Sequence, residues 1–160
     1  MTENGTKHVN ALLLELGGKM GIPALSLDGR GARSLRIGGR VFTLQYVEQR
    51  DELYCICTVG ELSPEWDRRA AAQTFLLDRN CFFRGVGIGV LGVRKGESDI
   101  FYTVRFPCSG LEFQEFESLF QAIVTAAGKI AGQLDEAVAA TGEKSGAAAG
   151  FSDGICGLRV

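Results

Sequence analysis

The sequence predicts an α+β domain in which an antiparallel sheet is flanked by three helices in the order α-β-β-β-α-β-β-α. Three observations carry that prediction. Apolar residues recur at helical spacing at both ends and in the middle of the chain. Short β-branched and aromatic runs lie between the helices, and the connections joining those runs are too short for anything but antiparallel neighbours.

The first helix is drawn by Val9, Leu12, Leu13, Leu16 and Met20, which share one face. Gly17 and Gly18 weaken its last turns, and Gly21-Ile22-Pro23 stops it. Leu25 and Leu27 alternate before the turn Asp28-Gly29-Arg30-Gly31, and Leu35 and Ile37 alternate before the turn Gly38-Gly39. Val41 to Val47 and Leu53 to Val59 read as two strands, separated by the charged stretch 48–52. Ser63-Pro64-Glu65 reads as the start of the middle helix, with a capping hydroxyl, a proline in the first turn and an acid near the positive end of the dipole. That helix is expected to run to about Phe82. Val86 to Val93 and Ile100 to Phe106 follow as a hairpin across residues 94–99. In the last helix Ser109 and Glu112 have capping-box spacing, and Phe113, Phe116, Phe120, Ile123, Ala127, Ile130 and Leu134 form a single stripe. From Ala137 the chain turns to Ala, Gly and Ser. The expected organisation is therefore a domain over residues 1–136 and a flexible tail over 137–160, with a sticky end at Phe151 to Val160.

Composition narrows the function. Seventeen Lys and Arg against 19 Asp and Glu leave a net charge of −2, which advertises no nucleic-acid or membrane partner. Five cysteines, an odd number without framework spacing, fit small apolar residues in a reducing compartment. The polar N-terminus and the absence of a long apolar run lead to an expectation of a cytoplasmic protein that does not insert into a membrane.

The motifs that suggest chemistry have better structural explanations. Gly87-Ile88-Gly89-Val90-Leu91-Gly92 matches G-x-G-x-x-G, but it leads into a predicted hairpin where a dinucleotide fingerprint must open a helix. A bare glycine face at Gly85, Gly87 and Gly89 is the alternative, open to close approach by another element or subunit. Cys55 and Cys57 share a strand face without the further ligands a zinc site needs, and His8 is the single histidine. No serine, cysteine or acid pattern proposes a catalytic group, so no enzyme activity, metal or cofactor is expected. Arg30, Arg33, Arg36 and Arg40 form a local basic run. Charge that protects an edge strand explains it, and a nucleic-acid-binding regulatory protein using that run is the alternative function.

Several segments together resemble one family. Leu14-Glu15-Leu16-Gly17-Gly18-Lys19-Met20-Gly21-Ile22-Pro23-Ala24-Leu25 resembles the first helix and turn of the class I type III secretion chaperones, the Tir-chaperone family. Thr58-Val59-Gly60-Glu61-Leu62 is similar to the exit of that family's third strand. The stretch from Leu76 through Asp78-Arg79-Asn80-Cys81-Phe82-Phe83-Arg84-Gly85 to Gly92 is similar to its middle-helix end and next strand, and Phe106 to Phe116 resembles the entry to its last helix. The resemblance covers about residues 9–136. It implies a homodimeric, non-enzymatic cytosolic chaperone that binds the N-terminal segments of type III effectors, keeps them competent for secretion and targets them to the export apparatus, with the export ATPase as a further partner. It also implies a two-fold interface at Trp66, Ala70, Gln73, Phe82, Phe83, Gly87 and Val90, and effector docking on Leu13, Leu16, Ile22, Leu25, Leu27, Leu35 and Ile37. Neither the Gly/Ala-rich tail nor the arginine run belongs to the family's pattern, and the subtype suggested is a multi-effector, export-control chaperone.

Overall fold

The computed structural model describes residues 3–148. The chain runs α1 (Glu3–Met20), β1 (Ala32–Ile37), β2 (Arg40–Val47), β3 (Glu52–Glu61), α2 (Trp66–Asn80), β4 (Val90–Val93), β5 (Asp99–Pro107) and α3 (Phe113–Ala148), the expected order. The strands make one antiparallel sheet in the order β1-β2-β3-β5-β4. Short connections force β1, β2 and β3 into a meander, and α2 carries the chain out to the far edge before β5 closes the sheet.

The pairing register places the apolar alternate residues on one face. Leu35 faces Phe42, which faces Cys57, and Cys57 faces Tyr102, which faces Leu91. Because successive side chains in a strand point to opposite faces, these partners line a continuous row. All five are buried. The face is covered by Val9, Leu12, Leu13 and Leu16 of α1 and by Phe116, Phe120, Ile123, Ala127, Ile130 and Leu134 of α3, all buried as their spacing predicts. Phe120 meets Phe42 edge-on at 6.2 Å between ring centroids, and Phe116 tilts against Phe106 at 6.3 Å. Each such side chain contributes about 1.5–3 kcal/mol when removed from water. α2 then packs on α3 through Ala72, Phe75 and Leu76.

α1 ends as a Schellman motif. Gly21 adopts φ +71°, and the Ile22 N–H reaches back to the Gly17 carbonyl at 2.8 Å. Gly17 is itself buried because Leu25 lies against it.

Five local expectations need correction. Leu25 and Leu27 are not a strand: the Leu27 N–H is taken by Asn10 Oδ1 at 2.8 Å, so this stretch is extended chain pinned to α1. α2 begins at Trp66, because Ser63 Oγ accepts the Glu65 N–H at 3.1 Å and holds Pro64 in a turn ahead of the helix. The Ser109–Glu112 capping box does not form. A turn closed by the Leu111 N–H on the Cys108 carbonyl, with Gly110 at φ +71°, buries Leu111, and α3 starts afterwards. β4 begins at Val90 rather than Val86, because Gly85 and Gly87 at φ +76° and +58° turn the chain and leave no glycine-faced strand. Finally, helix continues from Ala137 to Ala148, where a tail was expected. Ala137 and Val138 pack against the core, and alanine is the strongest helix former, so an established helix propagates through this composition. The expected sticky end at Phe151 to Val160 lies outside the described residues.

Candidate functional site

The residues nominated for docking divide into two groups. Leu13, Leu16, Leu25 and Leu35 are between 0% and 5% exposed, so they hold α1 and the following segment on the sheet and offer nothing to a partner in this conformation. The sequence could not separate them from surface residues, because a helix stripe looks the same whether it meets its own sheet or another chain. Ile22, Leu27 and Ile37 are half-buried, each packed on the core with one side free. The sequence reading missed Leu14, which is 58% exposed. It stands off the α1 stripe, and its place as the third leucine in Leu12-Leu13-Leu14 was the available signal. Leu14, Gly17, Gly18, Gly21, Ile22, Pro23 and Ala24 line an open cleft of about 400 Å³ at the end of α1. The Schellman turn builds that cleft by sending the chain back along the helix.

The second group lies along α2 and the segment that follows it. Trp66, Gln73, Phe82, Phe83, Gly87 and Val90 are all exposed, and Ala70 is half-buried. Trp66, Ala70 and Gln73 continue to Leu77 with spacings of 4, 3 and 4, so the four share an α2 face turned away from Ala72, Phe75 and Leu76. Leu77 (74% exposed) and Ile88 (61%) extend the apolar surface and were not anticipated. Trp66 is 77% and Phe82 86% exposed. Large aromatic side chains left this open are uncommon on a soluble surface and make this a candidate contact surface.

That surface is held in place from behind. The Asn80 amide pairs with both main-chain groups of Leu91: Nδ2 donates to the carbonyl at 2.8 Å, and Oδ1 accepts the N–H at 2.9 Å. The buried Tyr102 hydroxyl donates to the Val86 carbonyl at 2.8 Å, and its ring lies against Gly89, where a Cβ would have no room. Between these anchors Phe82 and Phe83 both adopt φ +55°, a left-handed conformation uncommon for bulky residues.

The remaining sequence features are structural. Residues 87–92 run from a turn into β4 with no helix behind them, so the geometry that a pyrophosphate requires is missing. His8 Nε2 lies 3.0 Å from the Leu111 carbonyl and ties α1 to the turn before α3. Burial pushes the thiols of Cys55 up to about 12, Cys57 to about 11 and Cys108 to about 12, which leaves them protonated and unreactive near neutrality. Among the described residues there is no group of three or more His, Cys, Asp or Glu placed to hold a metal ion, and no helix is long and apolar enough to cross a membrane.

The arginines surround β1. Arg33 shares the helix-covered face with Leu35 and Ile37, Arg40 pairs with Ile37 across the turn, and Arg36 points to the open face. None of the four forms an ion pair among the described residues. The Asp28 carboxyl is held below the usual carboxylate range by the N–H groups of Ala32 and Arg30, with the positive charges of Arg30 and Arg33 assisting.

Solved structures share this architecture. The crystal structure of the ExsC–ExsE complex contains a chain that aligns with TM-score 0.64 and 24% identity, over 76% of this chain and 90% of that one. The HopA1–SchA chaperone–effector complex aligns with TM-score 0.63 and 13% identity, over 85% and 98%. The Yersinia pestis type III secretion chaperone SycH, solved with a stable fragment of YscM2, aligns with TM-score 0.56 and 16% identity, over 76% and 98%. Comparison with curated protein sequences finds no match. The sequence model of one family matches residues 11–131, from α1 to deep within α3, and on that span the chain belongs to the Tir chaperone protein (CesT) family.

Proposed function

We propose that this protein is a homodimeric chaperone of type III secretion: it binds the N-terminal segments of effectors in the cytoplasm, keeps them competent for export and delivers them to the export apparatus, with the export ATPase as a docking partner and without catalysis of its own. Family membership across most of the chain carries this reading. The solved relatives support it, since one is a chaperone–effector complex and another a secretion chaperone with a bound fragment. The exposed apolar surface at Trp66, Leu77, Phe82, Phe83, Ile88 and Val90 supports the two-fold interface, because a single chain leaves it unsatisfied. The α1-end cleft with Leu14 and Ile22, together with half-buried Leu27 and Ile37, is the docking surface for effector segments. In this reading residues 1–136 form the chaperone domain, and the chain beyond them is an addition to it.

The test is capture from the source bacterium. Tagged protein should retain proteins that are secreted by the type III pathway and lose them when their N-terminal segments are deleted. Light scattering of the purified protein should give twice the 17.2 kDa chain mass. Retention of nucleic acid without secreted proteins would replace this reading with a regulatory one.

A further inference from the structure

We infer that the groove between the turn at Gly85 and Gly87 and the outer face of α3 is a docking site for an acidic amphipathic helix of a partner protein. The groove shares no residue with the α1-end cleft, so the inference stands apart from the effector-docking reading.

Three observations converge on this groove. The first is its shape. Gly85 and Gly87 form one wall, and Ser118, Ala122, Thr125 and Lys129 of α3 form the other, around an open volume of about 600 Å³. The four α3 positions follow one another at spacings of 4, 3 and 4 and are all exposed, so they share a face turned away from the buried stripe. Together they span three turns of helix, about 16 Å. Glycine and alanine put no bulk beyond Cβ into the groove, and the distance at which two helices pack is set by the side chains at their contact. A second helix can therefore lie close against this wall.

The second observation is charge. Between Glu117 and Asp135, α3 carries no acid and a single cation, Lys129, and residues 81–89 carry no acid and a single cation, Arg84. Arg84 is exposed beside the Gly85 wall. Arg79 lies behind that wall, with its Nη1 2.9 Å from where a Gly85 Cβ would stand and its guanidinium 5.0 Å from the centre of the Phe75 ring. Arg79, Arg84 and Lys129 form no ion pair among the described residues, and the Arg79 Nε is buried without a hydrogen-bond partner. In a chain whose net charge is −2, a groove with three uncompensated cations at its walls and no acid in its lining attracts negative charge.

The third observation concerns the main chain. The α3 wall is hydrogen-bonded within its own helix, and its hydroxyls turn back on it: Ser118 Oγ donates to the Gln114 carbonyl at 2.8 Å, and Thr125 Oγ1 to the Gln121 carbonyl at 2.9 Å. An extended segment laid here would find no main-chain partner on this wall, whereas a helix arrives with its own N–H and C=O groups paired. The lining holds no aromatic side chain on which a nucleic-acid base could stack. Of the lining residues only Gly87 belongs to the surface proposed for the two-fold contact, so the α3 wall is left for a different partner.

The experiment uses the full-length protein and fluorescein-labelled, alanine-rich helical peptides whose leucine face is flanked by Glu, Gln or Lys. A fourth peptide carries Pro in the middle of the Glu sequence, and oligo-dT is a fifth probe. The Glu peptide should bind roughly tenfold more tightly than the Gln peptide, and the Lys peptide more weakly still. Arg84→Gln/Lys129→Gln should bring the Glu peptide to the level of the Gln peptide. Ala122→Tyr fills the groove from an exposed position, so it should abolish binding of the Glu peptide, whereas Ala122→Ser should retain it, with the Tm of both within a few degrees of the unaltered protein. Equal binding of the Glu, Gln and Lys peptides, absence of binding, indifference to Ala122→Tyr, equal binding of the Pro peptide, or tighter binding of oligo-dT would each overturn the inference. Light scattering should show the assembly unchanged by the Glu peptide and by Ala122→Tyr. A dimer that dissociates in either case would assign the groove to a second copy of this chain and overturn the inference as well.

Discussion

Removal of the Asn80 side chain should destabilise the protein and loosen its apolar contact surface together. Asn80 is the last residue of α2, and its amide makes two hydrogen bonds, of 2.8 and 2.9 Å, to the main chain of Leu91 in an edge strand that has only four residues. In Asn80→Ala both are lost, at about 1 kcal/mol each. The Leu91 N–H and C=O remain, partly buried beneath the helix end, and where one of them finds no water its loss costs about 1–3 kcal/mol in place of about 1. The total is about 2–4 kcal/mol. For a domain of this size that lowers Tm by roughly 5–15 °C. Calorimetry at one fixed protein concentration is the assay, because a dimer's Tm depends on concentration. Asp78→Ala, an exposed change two residues away, serves as control and should stay within about 0.5 kcal/mol. Because residues 81–89 are strung between Asn80 and β4, self-association should weaken in the same variant. A Tm within about 2 °C of the unaltered protein would refute the argument that this amide, rather than packing, fixes the position of β4.

Three further outcomes follow from the same geometry. Leu16→Asp places a charge at a position 4% exposed and should abolish cooperative unfolding, whereas Leu14→Asp, at a position 58% exposed, should keep Tm within a few degrees and reduce effector capture; the reverse pattern in thermal scans and pull-downs would mean that the two faces of α1 are misassigned. Leu77→Glu combined with Phe82→Ser should yield a monomer by light scattering with unchanged far-UV circular dichroism, and a persistent dimer would place the two-fold interface elsewhere. In a Cys156→Ser chain at pH 8, Cys81 alone of the described cysteines should react with a thiol reagent, since Cys55, Cys57 and Cys108 are buried. Their folded-state pKa values are raised, so their contribution to stability is complete below the unfolded value near 9.0 and is lost as pH rises from there towards about 11–12; urea midpoints that increase across that range would contradict the burial.

The long periodic segments were legible because their pattern and their packing agree. The α3 stripe from Phe116 to Leu134 reads as helix from spacing, and the structure buries those residues against the sheet. β2, β3 and β5 were likewise apparent from β-branched alternation. The segments misread are those where a local signal met a competing contact. Ser109 and Glu112 have capping-box spacing, but burial of Leu111 takes the chain through a turn first. Val86 to Gly89 alternate like a strand, yet Val86 is drawn into the core beneath Tyr102 and two left-handed glycines bend the path. The alanine-rich stretch after Glu136 lacks apolar bulk, and it nonetheless extends a helix already nucleated by the core.

The candidate surfaces divide along the same line. Sequence alone determined the fold class, the order of the elements, the absence of a catalytic pattern and the family resemblance, because each depends on periodicity or on short strings read in order. Only the tertiary structure decided which apolar residues are spent on the chain's own core and which remain for a partner. Leu13, Leu16, Leu25 and Leu35 are indistinguishable by type and spacing from docking residues, but the sheet absorbs them, while Leu14, Leu77 and Ile88 are left outside. Burial is a property of the whole packed arrangement: a side chain is removed from water by residues distant in sequence, and no local pattern encodes which neighbours arrive.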